Sequence, residues 1–163
     1  MEYPGQILRR KEKRKKLILT IVSIIAVIII FIVLMNIKPS SKLPTKACFN
    51  GRICVNIELA LTEEQQKIGL MNRANLSEDA GMLFVYKDMN LKKFWMKNTL
   101  IPLDIIWMDN SNRIIYIERN AQPCTRDPCD IYGIDALSKD VLEVNGGFAT
   151  KNNLLVGDIV LLK

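Results

Sequence analysis

Residues 103–118 read LDIIWMDNSNRIIYIE and are the most informative part of the chain. Two apolar runs rich in Ile, Trp and Tyr flank the segment DNSN at residues 109–112. Runs of this composition are typical of β-strands, and Asp, Asn and Ser favour the turn between them. The stretch therefore predicts an antiparallel β-hairpin, around which we expect a sheet to form.

Further elements surround this hairpin on both sides. A helix is predicted over residues 63–71, because Thr62 can cap it and Gln65 at its third position completes a capping box. Apolar patterns predict five more short strands, at residues 52–59, 81–86, 93–97, 140–144 and 159–162. The set predicts a mainly β (α+β) domain, a small rolled antiparallel sheet or barrel-like body with one or two short helices.

A long apolar run precedes this domain. Residues 17–35 read LILTIVSIIAVIIIFIVLM and carry no charge. At 1.5 Å per residue, a helix of this length is about 28 Å long, close to the hydrocarbon thickness of a bilayer. We predict four regions: a basic cytoplasmic tail (1–16), one transmembrane helix (17–37), a linker rich in Pro, Ser and Lys (38–47), and an extracellular β-rich domain (48–163).

The charge of the chain is concentrated at its N-terminus. Of the formal net charge of +6, residues 1–16 contribute seven basic and two acidic residues. By the positive-inside rule the N-terminus is cytoplasmic and the C-terminal domain lies outside the plasma membrane. Because the rest of the chain is nearly neutral, we expect no nucleic-acid partner. A cleaved signal peptide fits less well, because the apolar run is long and no small-residue cleavage site follows it. A lipoprotein anchored at Cys48 also fits less well, because Cys48 lies far beyond the apolar run and Lys46 occupies a position where a small apolar residue is expected.

Four cysteines fall into two local pairs, Cys48 with Cys54 and Cys124 with Cys129. Disulfides are the default outside the cell. Four cysteines allow three pairings, of which we favour the local one. A four-thiolate metal site fits these spacings poorly, so we predict neither a metal nor a cofactor.

Several fragments of the domain occur in a characteristic order. They are GLMNR (69–73), GMLF (81–84), FWMKNT (94–99), PLDII (102–106), Pro123-Cys124, Cys129, Tyr132, Leu142-Glu143 and Gly157-Asp158. With these fragments the chain resembles the family catalogued as domain of unknown function 192, over about residues 50–163. The resemblance implies a compact, mostly β domain, often exported or tethered to a membrane, and it implies no reaction.

The chain contains no His, which excludes Ser-His and Cys-His catalytic pairs. Other polar and aromatic side chains could line a ligand pocket. The structural alternative is that Trp95 and Met96 are core residues, and that Asp104 forms a buried ion pair with Arg73 or Lys97. The candidate ligand-binding residues are Arg73, Trp95, Lys97, Asn98, Thr99, Asp104, Tyr132 and Glu143.

Three functions remain open. We favour a membrane-anchored extracytoplasmic binding or accessory module for a small-molecule or protein ligand, and expect binding rather than catalysis. The second is a hydrolase of envelope polysaccharide that uses Asp104 and Glu143 as its two carboxylates. The third is a Cu(I)-binding protein with thioether ligands, although Met more often fills a core. Its candidate ligands are Met71, Met82, Met89, Met96 and Met108.

Overall fold

The computed structural model describes residues 4–36 and 43–163, with side chains from residue 14 onward and up to residue 32 in the first range. The chain divides into two compact units, residues 1–42 and residues 43–163. The first contains helix α1 (Pro4–Asn36). Its segment Arg14–Ile32 is long and apolar enough to cross a membrane, and the side chains of this segment are exposed.

Helix α1 begins earlier than the sequence predicts. The basic tail is helical from Pro4, because Arg, Lys, Glu and Gln are good helix formers. The expected end of the helix at residue 37 and the linker residues 38–42 lie outside the described residues.

The second unit, residues 43–163, contains nine strands and two short helices. In chain order they are β1 (Lys46–Phe49), β2 (Ile53–Ala60), α2 (Glu63–Ile68), β3 (Ala80–Phe84), β4 (Phe94–Trp95), β5 (Leu103–Met108), β6 (Ile114–Ala121), β7 (Ile131–Tyr132), β8 (Asp140–Asn145), α3 (Phe148–Lys151) and β9 (Val160–Leu162).

Seven of these strands form one curled sheet in the order β6-β5-β8-β3-β2-β1-β9, and β4 pairs with β7 in a separate two-stranded sheet. Neighbouring strands are antiparallel, except that β2 and β3 are parallel. This exception follows from the crossover through α2, since parallel neighbours need a long connection. The two edges of the sheet approach each other, because Arg113 bridges to Ile159 and the Val160 N–H donates to the Asn112 carbonyl at 2.9 Å. The prediction of a rolled, mainly antiparallel sheet is confirmed.

The predicted hairpin is formed by β5 and β6. Its turn is held by the Asp109 carboxylate, which accepts from the N–H groups of Ser111 (2.8 Å) and Arg113 (2.9 Å). An Asp that bonds the backbone two residues on is a standard turn device. The local sequence is therefore sufficient to specify this part of the fold.

The central strands are buried on both faces. Every residue of β5 is buried. One face carries a core cluster that includes Ile106 and Leu142, and the other carries a cluster that includes Ile105 and Trp107. The β4–β7 pair packs on the second face, where the Phe94 ring is edge-on to Trp107, with 5.7 Å between ring centroids. Because side chains alternate along a strand, adjacent residues of β5 belong to different cores.

Local patterns missed three elements and misplaced several ends. Strands β1 and β7 and helix α3 are two to four residues long and depend on distant partners. Strand β1 begins at Lys46, inside the predicted linker. Helix α2 ends at Ile68 rather than at residue 71, because Gly69 has a φ of +49° and leaves the helical conformation.

Candidate functional site

Helix α2 is fixed over one corner of the sheet by two devices. The predicted capping box is present: the Thr62 hydroxyl accepts from the Gln65 N–H (3.2 Å), and the Gln65 amide oxygen accepts from the Thr62 N–H (3.0 Å). The Gln66 amide then donates to the carbonyls of Ala60 (3.3 Å) and Val85 (2.8 Å). These bonds tie the helix to the ends of β2 and β3.

Gly69 lets the chain turn down from α2 towards the sheet. Its combination of φ +49° and ψ −131° suits glycine. A Cβ at this position would lie 3.1 Å from the Phe84 ring and 3.9 Å from a carboxyl oxygen of Glu143. The absence of a side chain here brings the backbone close to that carboxyl group.

Glu143 is the distinctive residue of this corner. It lies on β8, opposite Met82 of β3 and Ile105 of β5, and its residue is only 5% exposed. Across residues 14–32 and 43–163, no hydrogen-bond or ion-pair partner is found for its carboxyl group. Burial away from water raises its pKa to about 8.

A small pocket, here called the Glu143 pocket, opens over this carboxyl group. Its volume is about 30 Å³, which is room for a group the size of one or two waters. Helix α2, the segment that follows it, and strands β3, β4 and β8 supply the lining. The lining residues are Gln66, Lys67, Ile68, Gly69, Leu70, Met71, Phe84, Phe94, Trp95, Thr99 and Glu143.

A larger and mostly apolar hollow shares four residues with this pocket, and we call it the α2–β4 groove. Its volume is about 460 Å³. Ile68 and Trp95 in it are 52% and 43% exposed. The ammonium of Lys97 lies 5.4 Å from the centroid of the Trp95 ring. The groove is lined by Glu64, Lys67, Ile68, Met71, Trp95, Lys97 and Asn98.

Five of the eight candidate residues converge on the pocket and the groove: Trp95, Lys97, Asn98, Thr99 and Glu143. Apart from Met71, which the sequence offers as a candidate copper ligand, the other lining residues were not singled out as site candidates. A signal for them did exist, because the fragments 69–73, 81–84, 94–99 and 142–143 that carry the family resemblance all contribute to the pocket.

Arg73 and Tyr132 lie elsewhere. Arg73 makes a two-pronged ion pair with Glu58, in which Nη2 donates to Oε2 at 2.7 Å. This bond lowers the pKa of Glu58. Tyr132 lies opposite Phe94 and lines a separate hollow beside Cys124.

Asp104 lies on the opposite face of the sheet from Glu143. Asp104 is registered with Val144, and the adjacent Ile105 with Glu143, so alternation directs the two acidic side chains to opposite faces. The predicted ion pair of Asp104 with Arg73 or Lys97 is wrong. Its carboxylate instead accepts from the backbone N–H groups of Asn120 (2.7 Å), Gly147 (2.9 Å) and Ala149 (2.6 Å). The two carboxyl groups therefore share no site.

The five methionines do not converge either. Met82 and Met96 are buried in the core cluster that contains Trp107, and Met108 is buried in the other cluster. Met71 lines the pocket, and Met89 is exposed. Within the described residues, no group of three or more Cys, Asp or Glu residues is arranged to hold a metal ion.

Both local disulfides are present, Cys48–Cys54 and Cys124–Cys129. The first joins two residues that face each other across β1 and β2. The second closes the loop between β6 and β7. Each lies outside the pocket and the groove.

A further hollow, of about 530 Å³, lies beside α3 and includes Cys54 and Phe148 in its lining. Its charged side chains are already paired. Lys151 contacts Glu78 at 3.4 Å, and the Asp79 carboxylate accepts from Asn56 at 2.9 Å. This hollow is larger than the Glu143 pocket, but it offers no comparable unpaired acid.

The fold and pocket define a class of small curled β domains with a pocket beneath a short helix. The profile of the uncharacterised family known as domain of unknown function 192 matches residues 45–162. The chain belongs to this family.

Two solved structures resemble the domain at a TM-score of 0.67 each. One is a protein of unknown function from Novosphingobium aromaticivorans, 34% identical, covering 77% of this chain and 91% of that one. The other, from Sinorhizobium meliloti, is described as a proposed transcription regulator, and is 30% identical over 72% of this chain and 92% of that one. None of the curated proteins matches the chain significantly.

Proposed function

We propose that this protein is a membrane-anchored extracytoplasmic binding module that holds one end of a small ligand in the Glu143 pocket. The observation that carries this proposal is a nearly buried carboxyl group with no partner among the described residues. Keeping a polar group away from water without a hydrogen bond is unfavourable, and the carboxyl oxygens of Glu143 keep their remaining contact with solvent at the pocket. A cost of this kind is typical of sites shaped for a ligand rather than for stability.

The surface above the pocket supports the same proposal. Trp95 and Ile68 expose apolar surface around the opening. Ligand sites commonly combine apolar walls with a few directed polar groups. The groove supplies the walls, and Glu143 with Thr99 supplies the polar groups.

Binding is favoured over hydrolysis because the pocket contains one carboxyl group rather than two. Glycoside cleavage needs an acid and a second carboxylate at a defined separation. Asp104 does not supply it, since it lies on the other face and is occupied by three backbone N–H groups.

The location outside the plasma membrane rests on helix α1 and the two disulfides. The apolar segment Arg14–Ile32 is long enough to span a bilayer, and a cluster of basic residues precedes it. By the positive-inside rule, this arrangement supports a cytoplasmic N-terminus. Disulfides persist in oxidising compartments, on the outer side of the membrane.

Binding is tested with the full-length chain in nanodiscs, labelled with ¹³C at the methionine methyl groups. Met71 lines the pocket, and Met108 lies in the core cluster on the other face, so Met108 is an internal control. We expect members of a panel of small aliphatic and aromatic compounds to shift the Met71 signal and leave Met108 unmoved. We also expect Trp95→Ala to weaken the response, so that a higher concentration of the same compound is needed for the same shift. A panel that leaves Met71 unmoved, or a concentration dependence that is unchanged in Trp95→Ala, would contradict the proposal.

Anchoring is tested separately with alkaline phosphatase fused after Lys163 and an epitope tag before Met1. We expect the phosphatase to be active, because it would lie outside the cytoplasm with the C-terminal domain. We also expect the tag and the domain to remain in one membrane-bound chain. A soluble domain that has lost the tag would show instead that α1 is a cleaved signal peptide. Inactive phosphatase would contradict the orientation.

A further inference from the structure

We propose that the Glu143 pocket receives a primary ammonium group at the end of an unbranched alkyl chain, as in a lysine side chain. This inference rests on the binding function proposed above and specifies its ligand. The chemistry around the carboxyl group leads to it.

The lining of the pocket suits a small cation. Three aromatic rings, Phe84, Phe94 and Trp95, line it together with Glu143. The faces of aromatic rings attract cations, most strongly when water is excluded. A carboxylate adds the opposite charge, and an ammonium group supplies three N–H donors to a site whose acid has no other partner.

Size narrows the class of cation. A volume of about 30 Å³ accepts a single –NH₃⁺ group. Planar guanidinium and quaternary ammonium groups contain four or more non-hydrogen atoms and fit this volume less well than –NH₃⁺ does. The cation must therefore enter at the tip of a thin chain.

The α2–β4 groove provides a path for that chain. Ile68, Met71 and Trp95 belong to both the pocket and the groove, so an apolar surface runs from the carboxyl group to solvent. Lys97 already places its own ammonium over the Trp95 ring at 5.4 Å. At the rim, Lys67 and Lys97 can donate hydrogen bonds to carbonyl oxygens at the far end of a lysine-type ligand.

Binding of this ligand has a defined proton balance. Burial keeps the Glu143 carboxyl protonated up to a pKa of about 8, and an ammonium group favours the carboxylate. When the alkylammonium group R–NH₃⁺ binds, the Glu143 carboxyl group therefore loses its proton to solvent. The product is an ion pair between R–NH₃⁺ and the Glu143 carboxylate. Of the elements that line the pocket and the groove, α2 contributes Lys67 and Glu64 and the segment after β4 contributes Lys97, while the lining residues from β3 and β4 themselves are uncharged. Tyr86, just beyond β3, has its pKa raised to about 12 and stays neutral.

The sign of the pH dependence of affinity distinguishes an ammonium ligand from a ligand that accepts a hydrogen bond from the protonated Glu143. Below pH 8, an ammonium ligand binds about tenfold more tightly for each unit of pH increase, because a proton must leave. A ligand that accepts a hydrogen bond from the protonated acid shows no such gain and weakens above pH 8.

The experiment is calorimetric titration of the full-length chain in nanodiscs with two matched probes. Nα-acetyl-lysine methylamide carries the ammonium group, and Nα-acetyl-norleucine methylamide has the same unbranched four-carbon chain without it. We expect the lysine probe to bind at least 100-fold more tightly at pH 7.5, to gain about tenfold in affinity between pH 6 and pH 7, and to release close to one proton. Glu143→Gln removes both the preference and the pH dependence. Glu78→Gln, an exposed carboxyl beside α3, changes neither.

A further probe distinguishes the source of the amine. If the ligand is a peptide lysine, n-butylamine binds more weakly than the lysine probe. The double variant Lys67→Ala, Lys97→Ala then weakens binding of the lysine probe and leaves binding of n-butylamine unchanged. Equal affinities for the two amines indicate a free alkylamine.

Each other outcome is decisive. Equal binding of the lysine and norleucine probes, or tighter binding at low pH, overturns the ammonium inference while the binding function stands. The ammonium inference is also overturned, and the binding function stands, if other compounds shift the Met71 methyl signal but these probes do not. If no compound shifts Met71, both proposals fail. The Met108 signal reports whether Glu143→Gln is folded. Trp95→Ala, at a partly exposed position, gives a second variant in which we expect about tenfold weaker binding of the lysine probe.

Discussion

Asp104 and Glu143 lie on neighbouring strands, β5 and β8, and both are buried, yet their surroundings are opposite. Three backbone N–H groups surround the carboxylate of Asp104. The carboxyl group of Glu143 has no partner in the described chain and faces aromatic rings. Through these bonds Asp104 connects β5 to β6, and also to the start of helix α3, which follows β8. The second opens a pocket on the other face. This contrast supports the proposal that the ligand binds on the Glu143 face of the sheet and not on the Asp104 face.

The largest expected effect comes from Asp104→Asn. The amide keeps one acceptor oxygen and replaces the other with a donor, so at least one buried N–H group loses its partner. We expect the free energy of unfolding to fall by about 4 kcal/mol, measured by urea denaturation of the full chain at pH 7. A loss below 1 kcal/mol would show that Asp104 does not organise the segment around α3.

The matched change on the other face, Glu143→Gln, should act in the opposite direction. In the unfolded chain Glu143 ionises near its ordinary pKa of 4.5, whereas in the folded protein it stays protonated to about pH 8. The folded state binds more protons in this window, so stability falls as pH rises from about 4.5 to 8. Gln cannot ionise and does not show this fall.

We therefore expect Glu143→Gln to be more stable than the wild-type chain by about 3 kcal/mol at pH 7. The difference should shrink towards pH 4.5. Denaturation at a series of pH values measures it, and Glu78→Gln is the control for an exposed acid. Parallel stability curves for wild type and Glu143→Gln would contradict the burial of an unpaired acid.

The smallest effect is expected at Arg73, which lies near the site but outside the pocket. Its ion pair with Glu58 is partly exposed, with 35% and 55% of the two side chains accessible. Such pairs contribute about 0–1 kcal/mol. Arg73→Ala should lower stability by less than about 1 kcal/mol and leave binding of the lysine probe unchanged. Loss of that binding would extend the site beyond the groove.

Much of the fold could be predicted from the sequence because its signals are local. The turn at Asp109 and the capping box at Thr62 and Gln65 each depend on residues within four positions. Strand β1 could not be predicted in this way, since four residues after a polar segment become a strand only through β2 and β9.

The site was predictable only in part for the same reason. Trp95, Lys97, Asn98 and Thr99 are close in sequence, and they remain together in the structure. The separation of Asp104 from Glu143 depends on the register between β5 and β8. Both acids occur in strands buried on both faces, so alternation of apolar and polar residues gives no indication of that register.

The most direct test of the account is the titration of Glu143 itself. Carboxyl ¹³C signals of glutamate-labelled full-length chain would be followed from pH 3 to pH 10, with Glu143→Gln to assign the resonance. The account predicts one glutamate with a pKa of about 8 that is missing from the variant, and a lower pKa for it when the lysine probe is bound. A Glu143 signal that titrates near 4.5 would contradict the account, because the carboxyl group would then be solvated or paired.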